Sequence, residues 1–415
     1  MKILMLSTFD TRGGAAIAAR RLHTGLRRIG IDSRMLVQEK GSDDPFVIEP
    51  ATPLRRALSA FRPMLDSLPL RQYPQRQRIT FSPAMLPDRL NREITKLSPE
   101  IVHLHWVAAG FLRIETLAKL NRPLIWTLHD SWPFTGGCHL PFDCLRYREA
   151  CGACPTLGSA RDSDLTRRIW NRKRKAWENL DLTVIAPSRW LAECAGASAL
   201  FRQKRIEVLP NGLDTNRFRP IDKGTARDIL SLPRDRKLLM FGGVHAASDP
   251  NKGFQYLADA LRKLSAQGWG EKAEVLVFGS TEPDQAPDFG LKCHYLGHVH
   301  DDVTTALLYC SADIFVAPST QENLPNTVME AAACGTPSVA FAVGGLPDLV
   351  EHGRTGWLAR PFETDDLAKG IASLLVDDEK RTDMGYAARN KVVSQYALER
   401  IARRHAELYE ELAEP

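Results

Sequence analysis

Short apolar runs of strand-like composition alternate with helical stretches, and this alternation limits the fold more than any other feature of the sequence. The runs are Lys2–Ser7, Ser33–Val37, Ile101–His105, Leu124–Leu128, Leu182–Ala186, Lys237–Gly242, Glu274–Phe278, Asp313–Ala317 and Ser338–Phe341. Apolar residues at three- and four-residue spacing indicate helices between them, as in Ala15–Ile29 and Gly253–Gln267. Strands that alternate with helices form parallel sheets, because each helix makes the crossover. The pattern therefore predicts an α/β fold.

The 415 residues are too many for a single hydrophobic core and suit two domains of about 200 residues each. The strand-like runs fall into two sets that separate near residues 196–205. We therefore predict two Rossmann-like domains that face each other across a cleft, formed by residues 1–200 and 201–397. An amphipathic helix, Leu398–Leu412, follows the second domain.

Composition narrows the class of protein further. Hydrophobic residues at 44% and charged residues at 25% are ordinary for a globular protein, and the net charge of +5 suits an anionic substrate or an anionic membrane surface. No apolar run approaches the roughly 20 residues of a transmembrane helix. The first ten residues read as a buried strand rather than a signal peptide, so we expect a cytoplasmic protein.

Two carboxylates, Glu322 and Glu330, flank the start of a predicted helix that follows the strand Asp313–Ala317. Asn326 suits the N-cap position and predicts a helix over Thr327–Cys334. A strand, a loop and a helix N-terminus together form a corner that binds anions. Carboxylates beside such a corner can accept hydrogen bonds from sugar and ribose hydroxyls, which suits a nucleotide sugar. The same spacing also occurs on solvated helix faces, so the pattern alone leaves both interpretations open.

Further motifs occur in a fixed order along nearly the whole chain. They are Gly13-Gly14 after the first strand, "TLHD" at 127–130, "APSRW" at 186–190, "LPNGLDTNRFRP" at 209–220, "NKG" at 251–253, "FG" at 278–279, "LGHV" at 296–299 and "QENLPN" at 321–326. With this ordered set the chain resembles the retaining glycosyltransferases of family 4, which have the GT-B fold. The "TLHDSWPFTGGC" and "QENLPN" variants resemble the branch that builds bacterial exopolysaccharide and O-antigen repeats, including polymers of the colanic-acid type.

The resemblance implies transfer of a sugar from a nucleotide diphosphate, such as a UDP- or GDP-sugar, with retention of anomeric configuration. It implies a glycan or polyprenyl-linked glycan as acceptor, chemistry that requires no metal, and a last helix that returns to the first domain. Two alternatives stay open, a catalytically inactive nucleotide-binding or scaffold module and a nucleotide-sugar 2-epimerase of the same fold. We expect no nucleic-acid partner.

The donor side is predicted to lie in the second domain. Glu322 is the predicted catalytic carboxylate, and Glu330 is expected to hold the ribose. Lys252 offers a point charge for a diphosphate, although surface lysines are common. Family members carry an arginine after the glycine equivalent to Gly243, where this chain has Val244 and His245. The remaining predicted donor-binding residues are Gly14, Asn323, Leu324, Asn326 and Thr327, the last three through backbone amides.

The acceptor side is predicted at the ends of strands in the first domain. In the family the histidine equivalent to His129 contacts the transferred sugar, and we expect Asp130 to orient His129 through a ring nitrogen. His105 ends the preceding strand and Gly13 opens the loop after the first one, so both are acceptor-side candidates. A histidine at a strand end can also be purely structural, and Gly13-Gly14 can be a plain turn.

Four cysteines, Cys138, Cys144, Cys151 and Cys154, follow the His129 strand with C-x5-C-x6-C-x2-C spacing. This spacing in a Gly- and Pro-rich segment suits a structural tetrahedral zinc site, with His139 as a spare ligand. Reduced thiols without metal and disulfides are the alternatives. A zinc ion held by four thiolates would have no open position for catalysis.

A basic run, "RRIWNRKRKAW" at 167–177, places Trp170 and Trp177 on one helical face. Such a helix can lie on an anionic membrane with its tryptophans inserted, or it can be a solvated helix whose tryptophans pack inward. The irregular, Arg-rich segment 52–92 is a second membrane candidate. A peripheral position at the inner face of the cell membrane would fit a lipid-linked acceptor.

Overall fold

The computed structural model describes residues 1–49, 53–243, 249–282, 288–299 and 301–413, and it describes no side chains at 53–55. The chain divides into two compact units. Unit 1 comprises Met1–Asn211 together with Ile401–Pro415, and unit 2 comprises Gly212–Arg400. No helix within the described ranges has the length and apolar character needed to cross a bilayer.

Unit 1 is built on a parallel sheet. Within the described residues its strands are β1 (Lys2–Phe9), β2 (Asp32–Glu39), β3 (Val47–Ile48), β4 (Ile101–Leu104), β5 (Leu124–Thr127), β6 (Leu182–Ala186) and β7 (Arg205–Val208), in the order β3-β2-β1-β4-β5-β6-β7. Its helices are α1 (Gly14–Arg28), α2 (Pro53–Asp66), α3 (Leu90–Leu97), α4 (Leu165–Trp177), α5 (Arg189–Ala197) and, from the end of the chain, α13 (Leu398–Ala413).

Unit 2 repeats this architecture with a shorter sheet. Its described strands are β8 (Lys237–Gly242), β9 (Ala273–Phe278), β10 (Lys292–Tyr295), β11 (Ile314–Ala317), β12 (Ser338–Phe341) and β13 (Gly356–Ala359), in the order β10-β9-β8-β11-β12-β13. Its helices are α6 (Lys223–Ile229), α7 (Phe254–Leu264), α8 (Asp302–Ser311), α9 (Asn326–Ala333), α10 (Leu346–Leu349), α11 (Thr364–Val376) and α12 (Asp378–Tyr396).

The predicted α/β fold with two Rossmann-like domains is confirmed. The division between the units falls at residues 211 and 212 rather than 200 and 201. The difference arises from β7, which pairs in parallel with β6 and completes the sheet of unit 1. Its sequence, Arg-Ile-Glu-Val, is half exposed at the sheet edge and therefore lacks the continuous apolar character of a buried strand.

Helix α13 belongs to the core of unit 1 although most of unit 2 precedes it in the sequence. Its Ala402, Leu408 and Tyr409 are buried in the same cluster as Ile3 and Ile125. The Tyr409 hydroxyl is hydrogen-bonded at 2.7 Å to Nδ1 of His103, a residue of β4. The amphipathic pattern of the last helix is therefore explained by packing on unit 1.

Candidate active site

Each sheet has one point where the strand order reverses, and the predicted site residues follow the strands at these points. In unit 1 the neighbouring strands are β1 and β4, and in unit 2 they are β8 and β11. Open α/β sheets bind ligands in the crevice outside the carboxyl ends of such strands. The loop with Gly13 follows β1, His105 follows β4, and Glu322 follows β11.

The central contact in unit 2 is an ion pair between Lys252 and Glu322. The Lys252 Nζ lies 2.5 Å from Glu322 Oε1, and the Ser319 hydroxyl donates to the same oxygen at 3.1 Å. The side chains are 27% and 15% exposed, so both remain accessible to a ligand. Burial opposes the charged ammonium, but the Glu322 carboxylate more than offsets this, and the pKa of Lys252 is raised.

Asn251 joins the Lys252 loop to the Glu322 loop, and sequence analysis did not identify it as a site residue. Its Nδ2 donates to the Gln321 carbonyl at 2.8 Å, and its Oδ1 accepts from the Thr320 hydroxyl at 2.8 Å and the Gln321 N–H at 3.1 Å. Asn251 is the first residue of the "NKG" motif, which is the sequence signal that could have identified it. The buried amide fixes the distance between the two loops and thereby supports the ion pair.

Two glycines allow the backbone to come close to these loops. Gly253 has a φ of 71°, and a Cβ there would lie 1.9 Å from the Pro318 carbonyl oxygen. Gly344 has a φ of 55°, and a Cβ there would lie 1.9 Å from the Glu322 carbonyl oxygen. Any side chain at either position would displace the loop that carries Glu322.

Helix α9 begins beside Glu322, but its cap differs from the prediction. The N-cap residue is Pro325, and Asn326 is the first helical residue rather than the cap. Residue Asp313, predicted in the strand, immediately precedes β11. The described residues in the first turn of α9 include no acidic side chain, so the positive end of the helix dipole is left available to an anion from that turn. Asn323, Leu324, Asn326 and Thr327 all lie in this strand–loop–helix segment.

Glu330 lies one turn inside α9 and is buried. Its Oε2 accepts a hydrogen bond from the Tyr309 hydroxyl of α8 at 3.0 Å. Tyr309 is fully buried and was not identified from the sequence. The contact fixes the orientation of the Glu330 carboxylate from its inner side.

At the sheet edge of unit 1, His129 is hydrogen-bonded to His105. His105 Nδ1 lies 3.0 Å from His129 Nε2, and the two rings are stacked with centroids 5.3 Å apart. Burial lowers the pKa of His129 to about 4, although Asp130 acts in the opposite direction. His129 is therefore neutral at physiological pH, and it can offer a hydrogen bond without adding charge.

Asp130 has three hydrogen-bonding partners, and the prediction that it orients His129 stays a prediction. Its Oδ2 accepts from Trp106 Nε1 at 2.7 Å and contacts His139 Nδ1 at 2.6 Å, and its Oδ1 accepts from the Trp132 N–H. Burial raises the pKa of Asp130, but these partners, His139 foremost, lower it overall. Sequence adjacency to His129 could not reveal this, because the partners come from other segments.

Gly13 and Gly14 lie at the start of α1, directly after the loop that follows β1. Gly13 is the N-cap residue and Gly14 the first helical residue. The described first turn of α1 contains no acidic side chain. Together with His105 and His129, the two glycines occupy the carboxyl edge of the sheet of unit 1.

The four cysteines lie in one segment, and three of them, Cys138, Cys151 and Cys154, are buried. Burial and the neighbouring thiols Cys151 and Cys154 raise the pKa of Cys138, and the Gly136 N–H donates to Cys151 Sγ at 3.1 Å. Within the residues that the structure describes, no group of three or more His, Cys, Asp or Glu side chains is arranged to hold a metal ion. The spare ligand His139 is hydrogen-bonded to Asp130 and to Ser82. The zinc site stays a prediction.

Helix α4 shows which side of the basic run faces the protein. Trp170 and Trp177 are buried, so the interpretation in which they enter a membrane is wrong. Lys173 is also fully buried, and its Nζ donates to the carbonyls of Trp132 and Thr135. Arg172 forms paired hydrogen bonds with Glu115 at 2.7 and 2.8 Å. The exposed basic residues are Arg168, Arg174 and Lys175.

His245, considered as a replacement for the missing arginine, lies outside the described residues.

Two family models match the chain, one over most of unit 1 and the first residues of unit 2, the other within unit 2. The model described as Glycosyltransferase Family 4 matches residues 12–217, and the model described as Glycosyl transferases group 1 matches residues 235–377. Together the two models identify the chain as a glycosyltransferase of the family 4 type. The GT-B neighbours described next agree with this assignment and with the resemblance of the ordered motifs.

Curated relatives of this family 4 chain include the D-inositol 3-phosphate glycosyltransferase of Arthrobacter sp. (strain FB24), 26% identical over 91% of this chain and 85% of the relative. The enzyme of that name from Nocardia farcinica is 32% identical over 48% of this chain, and the matched part spans only 46% of the relative. Similar solved structures are sucrose-phosphate synthase from Thermosynechococcus elongatus (22% identity, TM-score 0.71, 99% of both chains) and HepE from Anabaena (19% identity, TM-score 0.66, 99% of both chains). These structures show the fold.

Proposed function

We propose that this protein transfers a sugar from a nucleotide diphosphate to a hydroxyl of a glycan or lipid-linked glycan, with retention of anomeric configuration. The observation that carries the proposal is the ion pair between Lys252, which follows β8, and Glu322, which lies in the loop between β11 and α9. A cation and a helix N-terminus favour a departing diphosphate, and an adjacent carboxylate suits the hydroxyls of the sugar.

Each site residue in unit 2 has a distinct task in this proposal. The departing diphosphate gains negative charge, which Lys252 and the first amides of α9 stabilise more strongly in the transition state than in the ground state. Glu322 binds hydroxyls of the donor sugar and favours positive charge on its ring. Glu330, held by Tyr309, accepts hydrogen bonds from the ribose. A single carboxylate at the sugar distinguishes this site from a glycosidase pair.

The sheet edge of unit 1 serves the sugar and the acceptor. His129, neutral and held by His105, offers a hydrogen bond to the transferred sugar. We place the acceptor hydroxyl near the loop of Gly13, His105 and Asp130. Asp130 maintains this edge through Trp106 and His139.

The comparisons support a UDP-sugar as the first donor to test. HepE has been solved with UDP and UDP-glucose, and a structure of TarM contains UDP. WaaG, of similar fold, is described as involved in lipopolysaccharide biosynthesis. Given the "TLHDSWPFTGGC" and "QENLPN" motifs, we propose a role in bacterial cell-surface polysaccharide synthesis.

The test combines binding and turnover. We expect one class of nucleotide sugar, among UDP-, GDP- and ADP-sugars, to raise the melting temperature, because a ligand that binds only the folded state stabilises it. The same donor should be slowly hydrolysed without an acceptor, and the Lys252→Ala variant should lose this hydrolysis. Binding without any hydrolysis or transfer to glycan acceptors would show an inactive nucleotide-binding module instead, and 2-epimer formation would show an epimerase.

A further inference from the structure

Helix α2 is mounted on unit 1 with its polar side inward. Arg62 Nε donates to the Gly110 carbonyl at 2.7 Å, and its Nη2 donates to the Pro87 carbonyl at 2.7 Å. Asp66, one turn later, accepts from the N–H groups of Ala84 and Met85 at 3.2 and 3.0 Å. These contacts fix the rotation of the helix about its axis, so the opposite side must face outward.

The outward side is apolar. Leu58, Phe61 and Leu65 recur at three- and four-residue spacing, and Leu68 continues the row in the next short helical turn. Leu58 and Phe61 are 57% and 56% exposed, and Met64 and Met85 beside them are also exposed. We call these six residues the α2 apolar face. A surface helix of a water-soluble protein normally has the reverse arrangement, and a continuous exposed patch of large side chains marks an interaction site.

The apolar face continues into a groove towards α4. The groove has a volume of about 360 Å³ and is lined by Leu68, Tyr73, Met85, Ile169 and Arg168, among others. Arg168 is one of the exposed basic residues of α4, so the groove connects the apolar face with positive charge. The two segments in which the sequence indicated membrane contact are thus adjacent in the structure.

Within residues 56–87 the exposed charges are all positive, and the carboxylates of Glu49 and Asp88 border this segment. Between residues 56 and 87 the only acidic side chain is Asp66, and it is 2% exposed and hydrogen-bonded to backbone amides. Exposed arginines in the same segment are Arg56, Arg71 and Arg78, of which Arg56 contacts Glu49 at 2.9 Å. Exposed apolar side chains in a segment whose exposed charged residues are all arginines match the surface of an anionic bilayer.

We infer that the α2 apolar face and its arginines dock unit 1 on an anionic lipid bilayer, with the apolar side chains entering the headgroup region. Burial of the apolar side chains and attraction of the arginines act together, so binding requires both. Only the purpose of this docking rests on the proposed function: it would bring the enzyme to a lipid-linked acceptor.

The test is sedimentation of the full chain with vesicles. Vesicles of phosphatidylglycerol and phosphatidylcholine should bind the protein at low salt, whereas pure phosphatidylcholine should not, and added salt should release it. The variants Phe61→Ser/Leu65→Ser and Arg71→Glu/Arg78→Glu should each bind at least tenfold more weakly. The matched control Val376→Ser/Tyr386→Ser, at sites 74% and 71% exposed in unit 2, should bind like the wild type.

Three results would overturn the inference. The first is that the wild type fails to bind anionic vesicles at low salt, and the second is that the control variant loses binding equally. The third is concentration-dependent dimerisation that the Phe61→Ser/Leu65→Ser variant abolishes, which would make the face a contact between copies. The donor-induced rise in melting temperature should persist in every variant. That second measurement separates failure of this inference from failure of the proposed donor site.

Discussion

The Lys252–Glu322 pair positions two groups that have different tasks during turnover. In the structure each neutralises the other, with Ser319 and Asn251 holding the loops in place. In the proposed reaction, a bound donor would place a diphosphate beside the lysine and sugar hydroxyls beside the carboxylate. Since both partners are partly exposed, the pair can open without leaving a buried unpaired charge.

We expect Glu322→Gln and Glu330→Gln to affect different kinetic constants. Glu322→Gln removes charge next to the reacting ring and should lower kcat about 100-fold with little change in donor binding. Glu330→Gln weakens a hydrogen bond to a charged group, which contributes about 1.5–3 kcal/mol, and should raise the donor Kd tenfold or more. Steady-state kinetics and donor titration distinguish them.

The control for this pair is Glu379→Gln, an exposed carboxylate on α12 that should leave both constants unchanged. If both site variants retained full activity with the bound donor, our assignment of the two carboxylates would be wrong.

A site residue could be proposed from the sequence when it directly follows a recognisable strand, because the end of that strand then fixes its place in the fold. Glu322, His105 and His129 follow strands whose apolar runs are clear, so the sheet topology brings them to the ligand-binding edge. Their partners could not be proposed. His105 and His129 are 24 residues apart, and Tyr309 and Glu330 are 21 apart, so these contacts depend on how strands and helices pack.

Among the helices and strands, β11 is joined to α6 and α12 by a buried charge cluster around Asp313. Its carboxylate accepts from Lys223 Nζ at 2.6 Å, from Arg227 Nη2 at 2.8 Å and from the Leu238 N–H at 2.8 Å, and Arg381 lies 3.7 Å away. Burial raises the pKa of Asp313, but these cations outweigh it and the pKa is lowered. The cluster fixes the strand that leads to Glu322.

We expect Asp313→Ala to destabilise unit 2 by about 3–5 kcal/mol, because it leaves the buried Arg227 guanidinium without its carboxylate. Urea unfolding followed by circular dichroism measures the change. The matched control is Asp365→Ala, whose side chain is 82% exposed in its ion pair with Lys263 and should contribute less than about 1 kcal/mol. Equal effects of the two substitutions would contradict the role given to burial.

The cysteine segment after β5 gives a second prediction about a local structure. We expect purified protein to contain about one zinc ion, Cys151→Ser to lose it, and Cys293→Ser in unit 2 to keep it. EDTA should lower the melting temperature while leaving nucleotide-sugar turnover intact. If elemental analysis found no metal and all four thiols were free after anaerobic preparation, the zinc site would be rejected in favour of reduced thiols.

Most of the helices and strands that surround the site could be predicted, because their apolar periodicity is strong. Strands β6, β8 and β12 have the predicted bounds. The four strands that were not predicted, β3, β7, β10 and β13, include the edges of both sheets. Edge strands have mixed polarity, since one side of their backbone and part of their side chains face solvent. The inverted polarity of α2 could be recognised only from its contacts.

For the molecule as a whole, acid should unfold unit 1 before unit 2. Five histidines of unit 1 have lowered pKa values, chiefly because burial disfavours their charged forms, namely His23, His103, His105, His129 and His405. The unfolded chain binds protons near pH 6.5, whereas His23, His129 and His405 in the folded state bind them near pH 4. The free energy of unfolding is therefore unaffected above about pH 6.5 and falls as pH drops towards 4, at most by about 3 kcal/mol for each histidine.

Tryptophan fluorescence can detect this order, because six of the eight tryptophans lie in unit 1. Unit 2 relies on carboxylates such as Asp313 whose lowered pKa values keep its stability until the pH falls below their ordinary range. His352→Gln, at an exposed histidine of unit 2, should not move the transition. Unchanged fluorescence down to pH 4, or earlier loss of unit 2, would contradict the prediction.

The return of α13 to unit 1 determines the order in which the protein can be completed during synthesis. Tyr409 contacts His103 across 306 residues of sequence, so the first sheet to emerge from the ribosome lacks part of its core until the last helix follows. Unit 2 is continuous in sequence and can close first. At roughly 5–20 residues per second, the delay for unit 1 is on the order of 10–40 s. During that interval we expect the nascent unit 1 to expose the apolar surface that α13 later covers, so unit 2 can complete its fold before unit 1 does.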